Sequence, residues 1–325
     1  MDPLSILETH TQLAQDLFRQ GYERGLSLSK PKHARMVVCG MGGSILGAEL
    51  FQTFAQRALP DLEVTIWQTY GLPPASAKQT DIYCISYSGN TEETISAFQA
   101  ARKAHASPVC LAHGGMLASK ASTNRIPLVA LPDTAVPRLV APFVFGFFMG
   151  LYRRDAKTQR AAAHLSIDAR ATATQAKRLA RSLAKKQILV YTPVSSLSLA
   201  HLWEIHLNET AGLLAFGDDI PDIDHHTLAA LNHAPNRAAF HTLFLVTGNE
   251  SVAMRRRINL TEQTLKRLGI PCSPVIPFSK TTILSLLTHT MLASLCAIAI
   301  ARETRFNPFT NTIQDSFKKN LRTRS

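Results

Sequence analysis

Short apolar runs alternate with amphipathic stretches along the chain, and this alternation limits the fold more than any other feature. RMVVCG (35–40), LEVTIW (62–67), DIYCIS (81–86), PVCLAH (108–113) and IPLVAL (126–131) have the length and β-branched content of strands. Between them, SILGAELFQTFAQ (44–56) and NTEETISAFQAARKAH (90–105) have helical periodicity. The second carries Glu in its first turn and basic residues in its last, matching the helix dipole. Residues 4–27 predict an amphipathic helix, and RLVAPFVFGFFMGLY (138–152) a buried one. Strands alternating with helices imply a parallel sheet covered on both faces, an α/β fold.

The composition changes at RRDAKTQR (153–160), which predicts two units, 1–155 and 156–325. A length of 325 residues suits two domains. In the second unit, a polar helix (161–185) precedes the strand QILVYT (187–192). A helix over 197–212 then places Leu199, Leu202, Trp203 and Leu207 on one face. FHTLFLVTG (240–248) and PCSPVIPF (271–278) read as strands, and 251–267, 281–302 and 309–321 as helices.

Several function classes drop out on composition. The five cysteines show no CxxC or metal-ligand spacing and sit mostly in apolar runs, which suits reduced thiols in a cytoplasmic protein. The N-terminus MDPLSILETH has neither a basic n-region nor an apolar h-region, so no secretory signal is expected. ILSLLTHTMLASLCAIAIA (283–301) is long enough to cross a membrane, but Ser285, Thr288, His289, Thr290 and Ser294 make it read as a buried helix. The net charge of +12 is scattered over RLARSLAKK, MRRR and KKNLRTR with few aromatics between. That pattern lacks a stacking platform for nucleic acid and predicts a solvated surface whose field attracts anionic metabolites.

The turn SYSGNT (86–91) puts Ser86, Ser88 and Thr91 between a strand and a helix. In open parallel sheets, ligands bind at the carboxyl ends of strands. A helix start there offers free N–H groups and a positive dipole end, and hydroxyls add donors, so the turn suits a phosphate. N-capping by Ser88 or Asn90 is the structural alternative, but a cap needs one polar residue. The first strand ends in CGMGGS (39–44), where Gly40, Gly42 and Gly43 allow close backbone approach before Ser44 opens a helix. It lacks the GK[ST] of a Walker loop, and Ile45 stands where the last Gly of GxGxxG would be.

GMGGS together with SYSGNTEET resembles the sugar isomerase (SIS) domain. The chain as a whole resembles the bifunctional phosphoglucose/phosphomannose isomerase family, over most of residues 35–321. VPRLV puts Arg138 at the family's Arg, and LNET puts Glu209 at its Glu. PDIDHHT (221–227) puts His225 at its His, and NPFTNTIQDSFKKNL (307–321) puts Lys318 at its Lys, with Lys319 as the neighbouring choice. His233 lies too far from Glu209 and lacks the preceding Pro-acid pair. Ile45 and Ala48 depart from family glycines, Asn307 from Asp, and His226-Thr227 from Asn-Glu.

The resemblance implies two SIS-type α-β-α sandwiches with mainly parallel sheets. It also implies isomerisation of glucose 6-phosphate and fructose 6-phosphate through a cis-enediolate, with mannose 6-phosphate as a further candidate, in glycolysis and gluconeogenesis. Gly43, Ser44, Ser86, Ser88 and Thr91 would hold the phosphate. Glu209 would move the proton between C2 and C1, and burial that raises its pKa would suit that task. Arg138 would steady the enediolate; a cation opening an apolar helix opposes the dipole and calls for an anion nearby. His225, aided by Lys318, would open the ring, since imidazole titrates near neutrality. The acids around His225 and His226 offer a metal site as a rival reading, though DIDHH matches no fixed zinc pattern. No metal or organic cofactor is expected. The resemblance further implies a homodimer in which the partner subunit supplies the His. A sugar-phosphate sensor and another tandem-SIS isomerase stay open as alternatives.

Overall fold

The computed structural model describes residues 2–74, 78–275 and 281–310, with 313, 314, 316, 317 and 320. Two helices, α1 (Pro3–Gln12) and α2 (Ala14–Ser27), lead into the first sheet. They replace the single helix expected over 4–27; Leu13, at φ −78 and ψ 1, breaks it. The front unit then runs β1 (Arg35–Gly40), α3 (Leu46–Ala58), β2 (Glu63–Trp67), β3 (Asp81–Ser86) and α4 (Glu92–Lys103). It continues through β4 (Val109–Ala112), α5 (Gly115–Thr123), β5 (Leu128–Ala130) and α6 (Ala141–Tyr152). The five strands are parallel in the order β2-β1-β3-β4-β5.

The rear unit begins with α7 (Ala156–Ala163), whose N-terminus is capped by Asp155, and α8 (Ala169–Leu183). The helix expected over 161–185 is therefore two. Next come β6 (Gln187–Pro193), α9 (Leu197–Glu209), β7 (Ala215–Ile220), α10 (Thr227–His233) and β8 (Phe240–Leu245). Then follow α11 (Val252–Arg267), β9 (Cys272–Val275) and α12 (Thr282–Thr304). Four parallel strands lie in the order β7-β6-β8-β9.

Both central strands are buried on both faces, as parallel sheets require. α6 is buried all round, and its Gly146 and Gly150 lie against the backbone of α2 at Phe18 and Tyr22. Gly21 and Gly25 of α2 return the contact at Phe143 and Phe147. Any Cβ at these four positions would strike a carbonyl oxygen, so glycine lets the two backbones touch. One hydrophobic cluster runs from Phe18, Phe51 and Phe148 in the front unit to Trp203, Leu243 and Leu292 in the rear, so the two sheets share a core. α12 is the one described helix long and apolar enough to cross a membrane. Its most apolar window has a mean hydropathy of 2.0 and is 83% buried inside the fold, in line with the buried-helix expectation. α1 reaches across to α12 through the Thr11 and Ser294 hydroxyls, 2.6 Å apart, and an Arg302–Glu8 ion pair at 2.6 Å.

Candidate active site

The front sheet reverses direction between β1 and β3, because the chain leaves β1 toward β2 and returns on the other side. Such a reversal opens a crevice at the carboxyl ends of the two strands. The turns filling it are those the sequence singles out, Met41–Ser44 after β1 and Tyr87–Thr91 after β3. The rear sheet reverses between β6 and β8. There an acid of the chain itself sits in the turn: Glu250 Oε1 accepts from the Thr247 N–H at 2.6 Å and from its hydroxyl at 2.9 Å. The crevice open to an external anion is therefore the front one.

Four hydroxyls line that crevice. Ser44 Oγ accepts from the Tyr87 N–H at 3.1 Å, and Ser88 Oγ from the Asn90 N–H at 3.3 Å. Each accepts with oxygen and keeps its own proton to donate. Ser86 and Thr91 share one hydrogen bond at 2.9 Å, which leaves one more proton. Thr91 is the N-cap of α4, yet among the described residues no side chain caps the helix. The hydroxyls are thus not spent on capping, and the α4 N-terminus keeps unpaired amides facing the turn. Gly89, at φ +66, and Gly115, at φ +71, let the turn pack on residues 114–115, where Asn90 accepts from the Met116 N–H at 3.0 Å.

Arg138 enters from the other side. It lies in a 3-10 turn (Pro137–Val140) packed on the 3-10 turn Gly42–Ser44. A Cβ on Gly43 would stand 2.7 Å from the Arg138 backbone nitrogen and 2.8 Å from its Cα, so glycine is needed for this approach. The Arg138 side chain turns away from α6 and reaches the C-terminus of α9. Its Nη1 donates to Glu209 Oε2 at 2.6 Å, and its Nε donates to Thr210 Oγ1 at 2.7 Å. The dipole objection to a cation here is answered by geometry: the charge sits at the negative end of α9, against a carboxylate. Arg138 is 4% exposed and the Glu209 side chain 34%. Burial pulls the Arg138 pKa down, and the Glu209 charge and hydrogen bond oppose it. Among the described residues, buried Nη2 of Arg138 has no hydrogen-bond partner. One turn back on α9, burial and then the Arg138 charge push His206 down to about 3, so it is neutral beside the ion pair.

His225 lies elsewhere. α9 runs antiparallel to β7, as the Asn208 side chain shows by pairing with the Ala215 backbone at 2.8 and 3.3 Å. Glu209 is therefore at the start of β7, while His225 follows its far end beyond the cis Ile220–Pro221 bond. β7 spans six residues, about 20 Å at ~3.3 Å per residue. Within one chain His225 and Glu209 stand at opposite ends of β7, and His225 is exposed. Its neighbour Asp224 is engaged by Arg257 at 3.1 Å and by Thr261 at 2.7 Å. Lys318 and Lys319 lie outside the described residues. Sequence reasoning overlooked Thr210 and Tyr87. Tyr87 stacks on His113 and exchanges hydrogen bonds with the Thr134 backbone at 2.6 and 2.8 Å, which ties the serine turn to the loop leading to Arg138. Its place between two site serines was the available signal.

Residues 172–321 match the bacterial phospho-glucose isomerase C-terminal SIS domain. The rear half is similar to that family. Over most of its length the chain is similar to bifunctional phosphoglucose/phosphomannose isomerases. It is 25% identical to that of Aquifex aeolicus over 237 residues, 72% of this chain and 74% of the relative. Identity to that of Thermoplasma acidophilum is 28% over 233 residues, 71% of this chain and 72% of the relative. In fold, it is similar to a candidate phosphosugar isomerase of Salmonella typhimurium, with a TM-score of 0.68 at 16% identity, covering 93% of this chain and 96% of that one. Both units of this SIS-type fold thus have the expected parallel sheets.

Proposed function

We propose that the protein is an aldose–ketose isomerase that interconverts glucose 6-phosphate and fructose 6-phosphate, and that mannose 6-phosphate is a second aldose substrate. The carrying observation is the Arg138–Glu209 pair at 2.6 Å, which sets a carboxylate of the rear unit beside the Gly43–Ser44 turn of the front unit. The names of the curated relatives support the same reaction.

In this reading the phosphate rests on the Ser44, Ser86, Ser88 and Thr91 hydroxyls and the Gly43 backbone. Its binding energy orients the sugar carbons toward Glu209. Glu209 takes the proton from C2 and returns it to C1. Arg138 keeps one unpaired Nη2 for the developing enediolate oxygen. Ring opening falls to His225 and Lys318. The separation of His225 from Glu209 within one chain supports a homodimer, in which a second copy brings its own His225 to this crevice. The division into units 1–155 and 156–325 fits this split of labour between phosphate and proton chemistry. The five free cysteines, four of them buried, suit a reducing cytoplasm.

The test is an NMR time course with each hexose 6-phosphate. Interconversion of aldose and ketose with solvent-proton exchange at C1 or C2 is expected. Tight binding of fructose 6-phosphate without turnover would replace the isomerase with a sensor.

A further inference from the structure

The rear unit meets Arg138 through two consecutive residues, and only Glu209 has a part in the reaction so far. Thr210 is 2% exposed and accepts from Arg138 Nε at 2.7 Å. A guanidinium is planar with its donors in a fixed fork. Held at Nη1 alone, that plane could swing about the contact with Glu209. Held at both Nη1 and Nε, it cannot, and the direction of the unpaired Nη2 is set as well.

Thr210 is suited to this. It follows α9 with helical dihedrals, and its N–H donates to the His206 carbonyl at 2.9 Å, so its Cα is fixed. Its β-branched side chain has few rotamers. We infer that Thr210 is a positioning residue for the isomerisation: its hydroxyl orients Arg138 so that Nη2 faces the oxyanion formed at the reacting carbons. The inference rests on the isomerase reading, and Thr210 acts through Arg138 without touching substrate.

The test compares Thr210→Val, Thr210→Ser and Arg138→Lys singly, and Thr210→Val in the Arg138→Lys background. Valine keeps the shape and removes the acceptor. Loss of a hydrogen bond to a charged group predicts a fall in kcat of about tenfold to a hundredfold, with KM nearly unchanged. Thr210→Ser should restore most of kcat. Lysine lacks Nε, so Thr210→Val should cost nothing further in that background. Independently of activity, the Arg138 Nε–H resonance should be protected from exchange in the wild type and Thr210→Ser, and lose protection in Thr210→Val. Should the valine protein not fold, Thr210→Ala carries the same comparisons. An equal kcat loss in both backgrounds, or an Nε–H resonance indifferent to the substitution, overturns the inference. A wild type that converts no hexose 6-phosphate would instead defeat the isomerase reading, and the resonance would still decide whether Thr210 orients Arg138.

Discussion

Arg138 and Glu209 join the two sheets at one point: the guanidinium follows β5 of the front sheet, the carboxylate ends α9 of the rear, and 2.6 Å separates them. The pair sits at the mouth of the crevice, with Glu209 about a third exposed, so its contribution to stability is small. Glu209→Gln keeps an oxygen acceptor for Arg138 and removes the base. We expect kcat to fall by about 10²–10⁴, while thermal unfolding shifts by about 1 kcal/mol or less. A coupled fructose 6-phosphate assay alongside a thermal melt checks both. A Glu209→Gln enzyme as fast as wild type would remove Glu209 from the base role.

Gly43 fixes how near Arg138 can come. A methyl group there would press on the Arg138 nitrogen, Cα and Cβ at 2.7, 2.8 and 2.9 Å, all of them unable to move without the turn. Gly43→Ala should therefore cost about 1–3 kcal/mol of stability, as overpacking does, and shift Arg138 away from Glu209. We expect kcat to drop at least tenfold with a lowered melting temperature. Full activity in Gly43→Ala would mean that the close contact has no part in placing Arg138.

The phosphate reading separates from the proton-transfer reading at Ser88. Its side chain is exposed, and its one internal hydrogen bond, from the Asn90 N–H, is long at 3.3 Å. Ser88→Ala should leave stability within about 0.5 kcal/mol. Losing a donor to a dianionic phosphate should raise KM about tenfold, with kcat changed less. Titration of KM against salt should show the wild type weakening as ionic strength rises. A Ser88→Ala enzyme with unchanged KM would place the phosphate elsewhere.

The elements that position the serine turns were legible because β1, β3 and α4 carry strong local patterns: two buried apolar strands and a helix with acids first and bases last. β7 was not legible. Its sequence AFGDDI has no apolar run and no alternation, because it is an edge strand whose Phe216 faces out and whose Gly217 lies against α9. α5, built largely of Gly, Ala, Ser and Thr, gives equally little periodicity. The family resemblance singled out Arg138 and Glu209 separately, but their contact spans the two sheets and depends on α9 ending where the front turns begin. His225 lies 16 residues beyond Glu209 (225 − 209), and the strand between them carries it to the opposite end of β7.

Three buried imidazoles, His206, His241 and His289, each with its pKa lowered first by burial, should make the fold acid-sensitive. His289 Nδ1 accepts from the Trp203 indole N–H at 3.2 Å and its Nε2 donates to the Val246 carbonyl at 3.0 Å, so only the neutral ring satisfies both partners. Burial pushes His289 from 6.5 down to about 4, and burial with the Arg138 charge pushes His206 to about 3. A depressed histidine contributes its full stability above the unfolded value near 6.5, and loses it as pH falls toward the folded value. His201 has the opposite sign. Burial lowers its pKa, but the Glu49 hydrogen bond and charge outweigh burial and raise it, so its contribution is complete below 6.5 and declines only at higher pH. It therefore adds no slope between pH 6.5 and 4. In that window the melting temperature should fall steadily, with His289 alone accounting for up to about 3 kcal/mol. His289→Gln keeps a neutral donor and acceptor, so it should start less stable at pH 7 and lose less on acidification. Calorimetric melts of both proteins from pH 7.5 to 4.5 check this, and parallel curves would remove His289 as a source of the slope.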